Sequence, residues 1–393
     1  MATTAEQVRQ YSGPVLLSYG FRPFFLGGAA WAIVAVTLWL PMLAGEISVP
    51  TAFTPLEWHV HELIFGYVPA VIAGFLLTAV PNWTGRLPVT GTPLLALFLI
   101  WLTGRFAILV SARLGVPLAA AIDVLFLVAL GAVIAREIIA SGNTRNLKVL
   151  AIVVLLAGGN ALFHFETFRH ADHGYGTRIG ISAAIFLIIL IGGRIIPSFT
   201  RNWLVRQLPG RLPAPFDRFD IVIMAASGLA LAGWVVMPDH TATMLITGIA
   251  ALLNFSRLAR WAGERTVAEP LVLILHIGYA FVPVGFLLVA LSAAMPAFVS
   301  PSGALHAWTV GAVGLMTIAV MTRASLGHTG QPLTATRRIQ LIYGFGIVAA
   351  LARVAVAFGF AREPLLRLSA LAWVLAFSSF VVVYGPWLTR RQA

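Results

Sequence analysis

Histidine is the residue type in this chain with the widest chemical reach. Its 393 residues include nine histidines and no cysteine. The missing thiols exclude disulfides, iron–sulfur clusters, thiolate-ligated haem and covalently attached c-type haem. A metal here must use imidazole, methionine, carboxylate or backbone oxygen. His59 and His61 fall in Glu57-Trp58-His59-Val60-His61-Glu62, His164 has Glu166 beside it, and His306 lies in Ala304-Leu305-His306-Ala307-Trp308. The carboxylates Glu57, Glu62 and Glu166 are candidate proton relays to whatever these imidazoles hold.

Neutral imidazole is the commonest ligand of haem iron and a good one for copper. Residues two apart on a helix diverge by roughly 200°, so His59 and His61 cannot face one iron; one could hold haem and the other a second metal. A bis-imidazole haem b needs one histidine from each of two helices, and His61 with His306 supplies that pair. Arg105 and Arg353 both fall inside apolar runs, where each guanidinium needs an anion. Haem propionates would serve, and so would a glutamate or the headgroup layer. His276 and His328 form a smaller group that is either a second metal or haem site or a hydrogen-bonded histidine and a loop cap. His170, His173 and His240 read as exposed loop residues, with copper uptake a possible role for the first two. Met316 and Met321 read as core packing.

The elements that must position these residues are membrane helices. Apolar residues make up 59% of the chain and charged residues only 10%, far more apolar surface than one soluble core could hide. Runs of roughly twenty residues are predicted near 22–43, 57–80, 91–111, 117–139, 147–168, 178–199, 218–237, 239–262, 269–293, 303–323, 336–358 and 365–387. The fold class is therefore all-α, a single integral membrane domain over residues 1–393 with a short polar segment at about 1–20. No signal peptide is expected, since the first apolar run is long enough to cross and stay.

Twelve spans put both termini on one side. Most of the 26 Lys and Arg, including Arg9, Arg22, Arg206, Arg211, Arg257 and Arg390, fall on that side, which makes it cytoplasmic by the positive-inside rule. The formal charge of +12 is scattered singly through loops, so topology explains it and a nucleic-acid partner is not expected.

An ungapped alignment of residues 61–85 with 306–330 superposes His61 on His306, Gly66 on Gly311 and Thr84-Gly85 on Thr329-Gly330. Pro197-Ser198-Phe199-Thr200 echoes Pro81-Asn82-Trp83-Thr84. If spans two, six and ten are equivalents, the expected grouping is three four-helix units.

The segments Phe21-Arg22-Pro23-Phe24-Phe25-Leu26, Trp58-His59-Val60-His61-Glu62 and Gly74-Phe75-Leu76-Leu77-Thr78-Ala79-Val80-Pro81-Asn82-Trp83-Thr84-Gly85-Arg86 resemble the NnrS family. Leu305-His306 and Met321-Thr322-Arg323-Ala324-Ser325-Leu326-Gly327-His328-Thr329-Gly330 extend the likeness. It implies a bacterial inner-membrane protein carrying haem and copper, associated with nitric oxide metabolism, denitrification and tolerance of nitrosative stress. Two functions compete under that resemblance. One is binding and reduction of nitric oxide, which needs protons and an electron donor; the other is sequestration of nitric oxide or metal without catalysis. Transport ranks third, because its usual mark is paired carboxylates or cations at mid-membrane, and the ionisable groups of this chain are expected near the faces.

Overall fold

A computed structural model describes residues 11–171, 174–207 and 209–391. Arg9 and His173 lie outside the described residues. Twelve helices are long and apolar enough to cross a membrane, namely α1 (Phe21–Leu43), α2 (Pro55–Thr84), α3 (Thr92–Leu109), α4 (Val116–Ala140), α5 (Thr144–Phe168) and α6 (Tyr175–Leu204), then α7 (Arg218–Val236), α8 (Thr241–Ala259), α9 (Pro270–Ala294), α10 (Pro301–His328), α11 (Arg337–Phe358) and α12 (Arg362–Thr389). All twelve expected spans are present, and the described residues contain no strand.

Local chemistry sets where these helices begin. Thr54 caps α2 through a reciprocal box with Glu57, with Pro55 at the first helical position. Asp217 and Asp220 form the same box at the start of α7. Ser300 caps α10 ahead of Pro301. Large apolar side chains such as Val154, Leu229 and Val382 remain exposed, as lipid-facing positions should. The helices most enclosed by protein are α2, α6, α9 and α10.

The chain divides into two compact units, one formed by residues 1–183 with 380–393 and the other by 184–379. Three four-helix units are not the division found. The echo between spans two and ten is nevertheless visible in the backbone. In α2 a short α-helical run ends at His61 and a π-helical segment, Glu62–Tyr67, follows. In α10 the run ends at His306 and a π-helical segment, Ala307–Gly314, follows. The helix α6 has no such segment among its described residues, so the third member of the echo lacks the feature that unites the other two.

Two arginines assigned to the cytoplasmic side are enclosed by protein. Arg22 is buried and donates to the carbonyls of Trp387 and Leu388. Arg257 is fully buried, its Nε donating to Asp220 and its Nη1 to the Ile189 carbonyl and the Tyr279 hydroxyl. Both are structural cations with fixed partners, and position along the chain alone could not separate them from loop charges.

Candidate metal centre

Four helices of the first unit converge on one buried polar cluster. His61 and Glu62 come from α2, Arg105 from α3, Asp123 from α4, and Asn160 and His164 from α5. None is more than 3% exposed. Asp123 is the hub. Its Oδ2 lies 3.1 Å from His61 Nε2 and 3.0 Å from His164 Nε2, and accepts from Asn160 Nδ2 at 2.7 Å. Its Oδ1 accepts from Arg105 Nη2.

Glu62 is the second carboxylate. Arg105 Nη1 and Trp31 Nε1 both donate to its Oε2 at 2.7 Å. Its Oε1 lies 2.9 Å from His61 Nδ1. An ionised carboxylate only accepts, and both ring nitrogens of His61 face one, so a neutral ring has one proton for two acceptors; placed on Nδ1, it is donated to Glu62. That assignment leaves a lone pair on His61 Nε2 facing two oxygen acceptors, Asp123 Oδ2 and Asn160 Oδ1, the latter at 3.2 Å. Lone pairs repel, so the meeting point calls for a positive charge, either a second proton on the ring or a metal ion.

The spacing suits a metal. Two ligand atoms bound to one ion at about 2.0–2.2 Å lie about 3 Å apart when they are neighbours in the coordination shell. His61, Asp123 and His164 each offer one ligand atom, and these atoms all lie within 4.8 Å of one another. The outer contact of His61 also matches those of metal sites, where the far nitrogen of a ligating imidazole is held by a carboxylate, whereas His164 Nδ1 is buried without a partner among the described residues. Counting Asp123 and Glu62 against Arg105, with neutral imidazoles, the cluster carries a formal charge of −1, which a bound cation would offset.

Gly66 makes the cluster possible. A β-carbon at that position would fall 2.4 Å from Arg105 Nη1 and 3.0 Å from Glu62 Oε2. Aromatic rings enclose the imidazoles, with Phe53, Phe163 and Phe65 centred 5.3, 5.4 and 5.7 Å from His61.

The remaining candidates fall elsewhere. Glu57 is taken up by the α2 cap, and both Glu166 oxygens accept from the first backbone amides of α6, Tyr175 and Gly176. Of the three proposed relays, only Glu62 touches the imidazoles. His59 stacks on Trp39 with centroids 3.8 Å apart, while neighbouring Trp58 is fully buried. Exposed His170 and His240 lie where loop residues were expected, and His240 caps α8. The sequence reading passed over Asp123 and Asn160. A lone aspartate in the apolar run Ala119-Ala120-Ala121-Ile122-Asp123-Val124-Leu125-Phe126 was the available signal, under the same rule that singled out Arg105.

Residues 15–392 match the family described as NnrS protein. The chain belongs to the NnrS family. No curated protein matches it. As an NnrS protein it is a multi-span membrane protein of a family linked to nitric oxide metabolism.

The second unit of this NnrS chain contributes further histidines. His306 Nδ1 lies 2.5 Å from the Ser302 carbonyl, which only accepts, so the proton is on Nδ1 and Nε2 keeps its lone pair. Backbone orientation of this kind is common behind a ligating imidazole. Arg353 is half-buried, and no ion pair to it occurs among the described residues. His276 Nε2 lies 2.8 Å from Thr200 Oγ1, whereas His328 is exposed at the end of α10. Met316 and Met321 are buried in α10, in keeping with core packing.

Proposed function

We propose that this NnrS protein is a haem and copper protein of the bacterial inner membrane that binds nitric oxide, or reduces it where a donor supplies electrons. Copper is assigned to His61, Asp123 and His164. The observation that carries the assignment is the approach of two imidazole Nε2 atoms to a single oxygen, Asp123 Oδ2, at 3.1 and 3.0 Å. The donor set of two imidazoles and a carboxylate suits a small ion. A porphyrin on His61 fits poorly, because Asp123 and Asn160 occupy the space facing Nε2. The haem is therefore assigned to His306, whose Nδ1 is already oriented, with Arg353 as a cation for its propionates.

These groups would supply the electron-transfer and nitrosyl-binding chemistry. The protein's own residues do the rest. Glu62 holds the proton on His61 Nδ1 and so keeps Nε2 available as a ligand. Arg105 bridges Glu62 and Asp123 and offsets one of their two negative charges. The aromatic shell excludes water, which strengthens every charge interaction within it. Of the relay candidates, Glu62 is the one in contact with a ligating imidazole, through His61 Nδ1.

The test is metal analysis and reduced-minus-oxidised optical spectra of purified protein, with and without nitric oxide. Asp123→Asn and His61→Ala should lose copper and keep the haem spectrum, while His306→Ala should do the reverse. An intact wild-type preparation holding neither haem nor copper overturns the reading.

A further inference from the structure

The metal cluster has a roof. Phe53 sits on the connection between α1 and α2 and is 5% exposed. Its ring centre is 5.3 Å from that of His61, 5.8 Å from His164 and 5.8 Å edge-on from Phe163. One side chain thus covers both ligating imidazoles. It comes from a loop, whereas every other residue touching the cluster comes from a helix.

The loop is pinned at one place. Ala52 N donates to Ser111 Oγ at 2.8 Å, Thr51 Oγ1 and Ser111 Oγ are 3.2 Å apart, and Ala112 N donates to the Pro50 carbonyl at 3.0 Å. Three consecutive residues, Pro50, Thr51 and Ala52, are therefore tied to the α3–α4 connection, and Phe53 follows directly. On the other sides the cluster is walled by the helices themselves, with Phe65 and Phe163 packed against His61. A β-carbon added at Gly180 would meet Ile64 and Phe65 at 2.7 Å, so that wall has no slack. Among the described residues, the roof is the part of the enclosure carried on a loop rather than a helix, and local opening favours such elements.

Charge acts in the same direction. Before a metal binds, the net charge of −1 repels anions, and with or without the metal the aromatic lining gives a charged or hydrated ligand nothing to replace its water. We propose that Phe53 is the gate of this cluster: its loop must swing to admit a metal ion and, when closed, admits only small uncharged ligands that dissolve in lipid. Nitric oxide belongs to that class. The identity of the metal rests on the proposed function; the gate does not.

The first test therefore needs no metal. Diethyl pyrocarbonate modifies accessible imidazoles, and mass spectrometry reads each site. In the wild type, exposed His170 and His240 should react while His164 resists. Phe53→Ala should raise the modification rate of His164 at least tenfold and leave buried His276, in the other unit, protected. Ser111→Ala, which removes two of the three ties of the loop without touching the ring, should raise it several-fold. Should Phe53→Ala unfold the chain, His276 would label as well; Phe53→Leu and Ser111→Ala then carry the test. Equal His164 rates in folded wild type and variants overturn the gate.

A second arm measures extraction of copper by a bulky, water-soluble, anionic Cu(I) chelator. Extraction should be slow from the wild type and at least tenfold faster from Phe53→Ala, and equal rates again overturn the gate. A wild type that takes up no copper sinks the metal assignment, while the labelling result still decides the gate.

Discussion

Replacing Arg105 with methionine probes the charge arithmetic of the cluster directly. Methionine keeps much of the volume and removes the cation, so the formal charge falls from −1 to −2 with both carboxylates still buried. At the effective dielectric of about 20 that suits protein sites, the contact with Glu62 alone, at 2.7 Å, is worth about 6 kcal/mol of attraction. Part of this is offset because the arginine no longer has to be desolvated, and breaking a buried pair usually costs a net ~3–5 kcal/mol. Unfolding in mixed detergent and denaturant can be followed by the fluorescence of the 11 tryptophans. Arg105→Met should lose about 3–5 kcal/mol. Adding Glu62→Gln restores the charge to −1 and should recover at least half of that loss. A saturating metal ion, by supplying the missing positive charge, should stabilise Arg105→Met more than the wild type. An Arg105→Met protein within about 1 kcal/mol of wild type, or a double variant no better than the single, would refute the argument.

Other parts of the structure make separate predictions. Gly66→Ala puts a methyl group against Arg105 and should cost about 1–3 kcal/mol by the same unfolding assay. Glu166→Ala removes the acceptor for two α6 amides and should cost about 1–2 kcal/mol without altering metal content, which separates its capping role from proton relay. Outside the spans, the Asp217 carboxyl is held below its ordinary value, chiefly by its hydrogen bond from Arg260. A depressed value means a stabilisation present at neutral pH and lost as pH falls below the unfolded value of about 3.9. Hydrogen exchange at Phe219 and Asp220 should accelerate in that acidic window, and Asp217→Asn should remove the pH dependence.

The spans were legible because lipid imposes a simple rule: about twenty apolar residues, then a break. That His61, His164, Glu62 and Arg105 each need a partner was legible for the same reason, since charge in lipid must be compensated. Partner choice was not. Arg105 and Glu62 are 43 residues apart, and no local pattern says that two carboxylates, with no cofactor needed, answer that arginine. Asp123 satisfies the same criterion as a lone carboxylate in an apolar run, but its partners lie on other helices and no neighbour in sequence points to them. Glu57 and Glu166 misled in the opposite direction, since a carboxylate beside a histidine reads as chemistry while the backbone amides it caps are invisible in sequence. The echo of His61 and His306 was real at the level of backbone shape and misleading as a guide to grouping, because the third member, in α6, lacks the wide turn.

Those wide turns have a consequence for how such a site can change over time. A π-helical turn holds one residue more than an α-turn, so deleting a single residue within Glu62–Tyr67 would heal α2 into continuous α-helix. Everything beyond the turn would keep its packing, but His61 and the loop before it would rotate by about 100° relative to the rest of the helix. The segment is thus a phase shifter. One codon gained or lost there aims the imidazole at the cluster or away from it, and the same adjustment is available independently to His306 in α10.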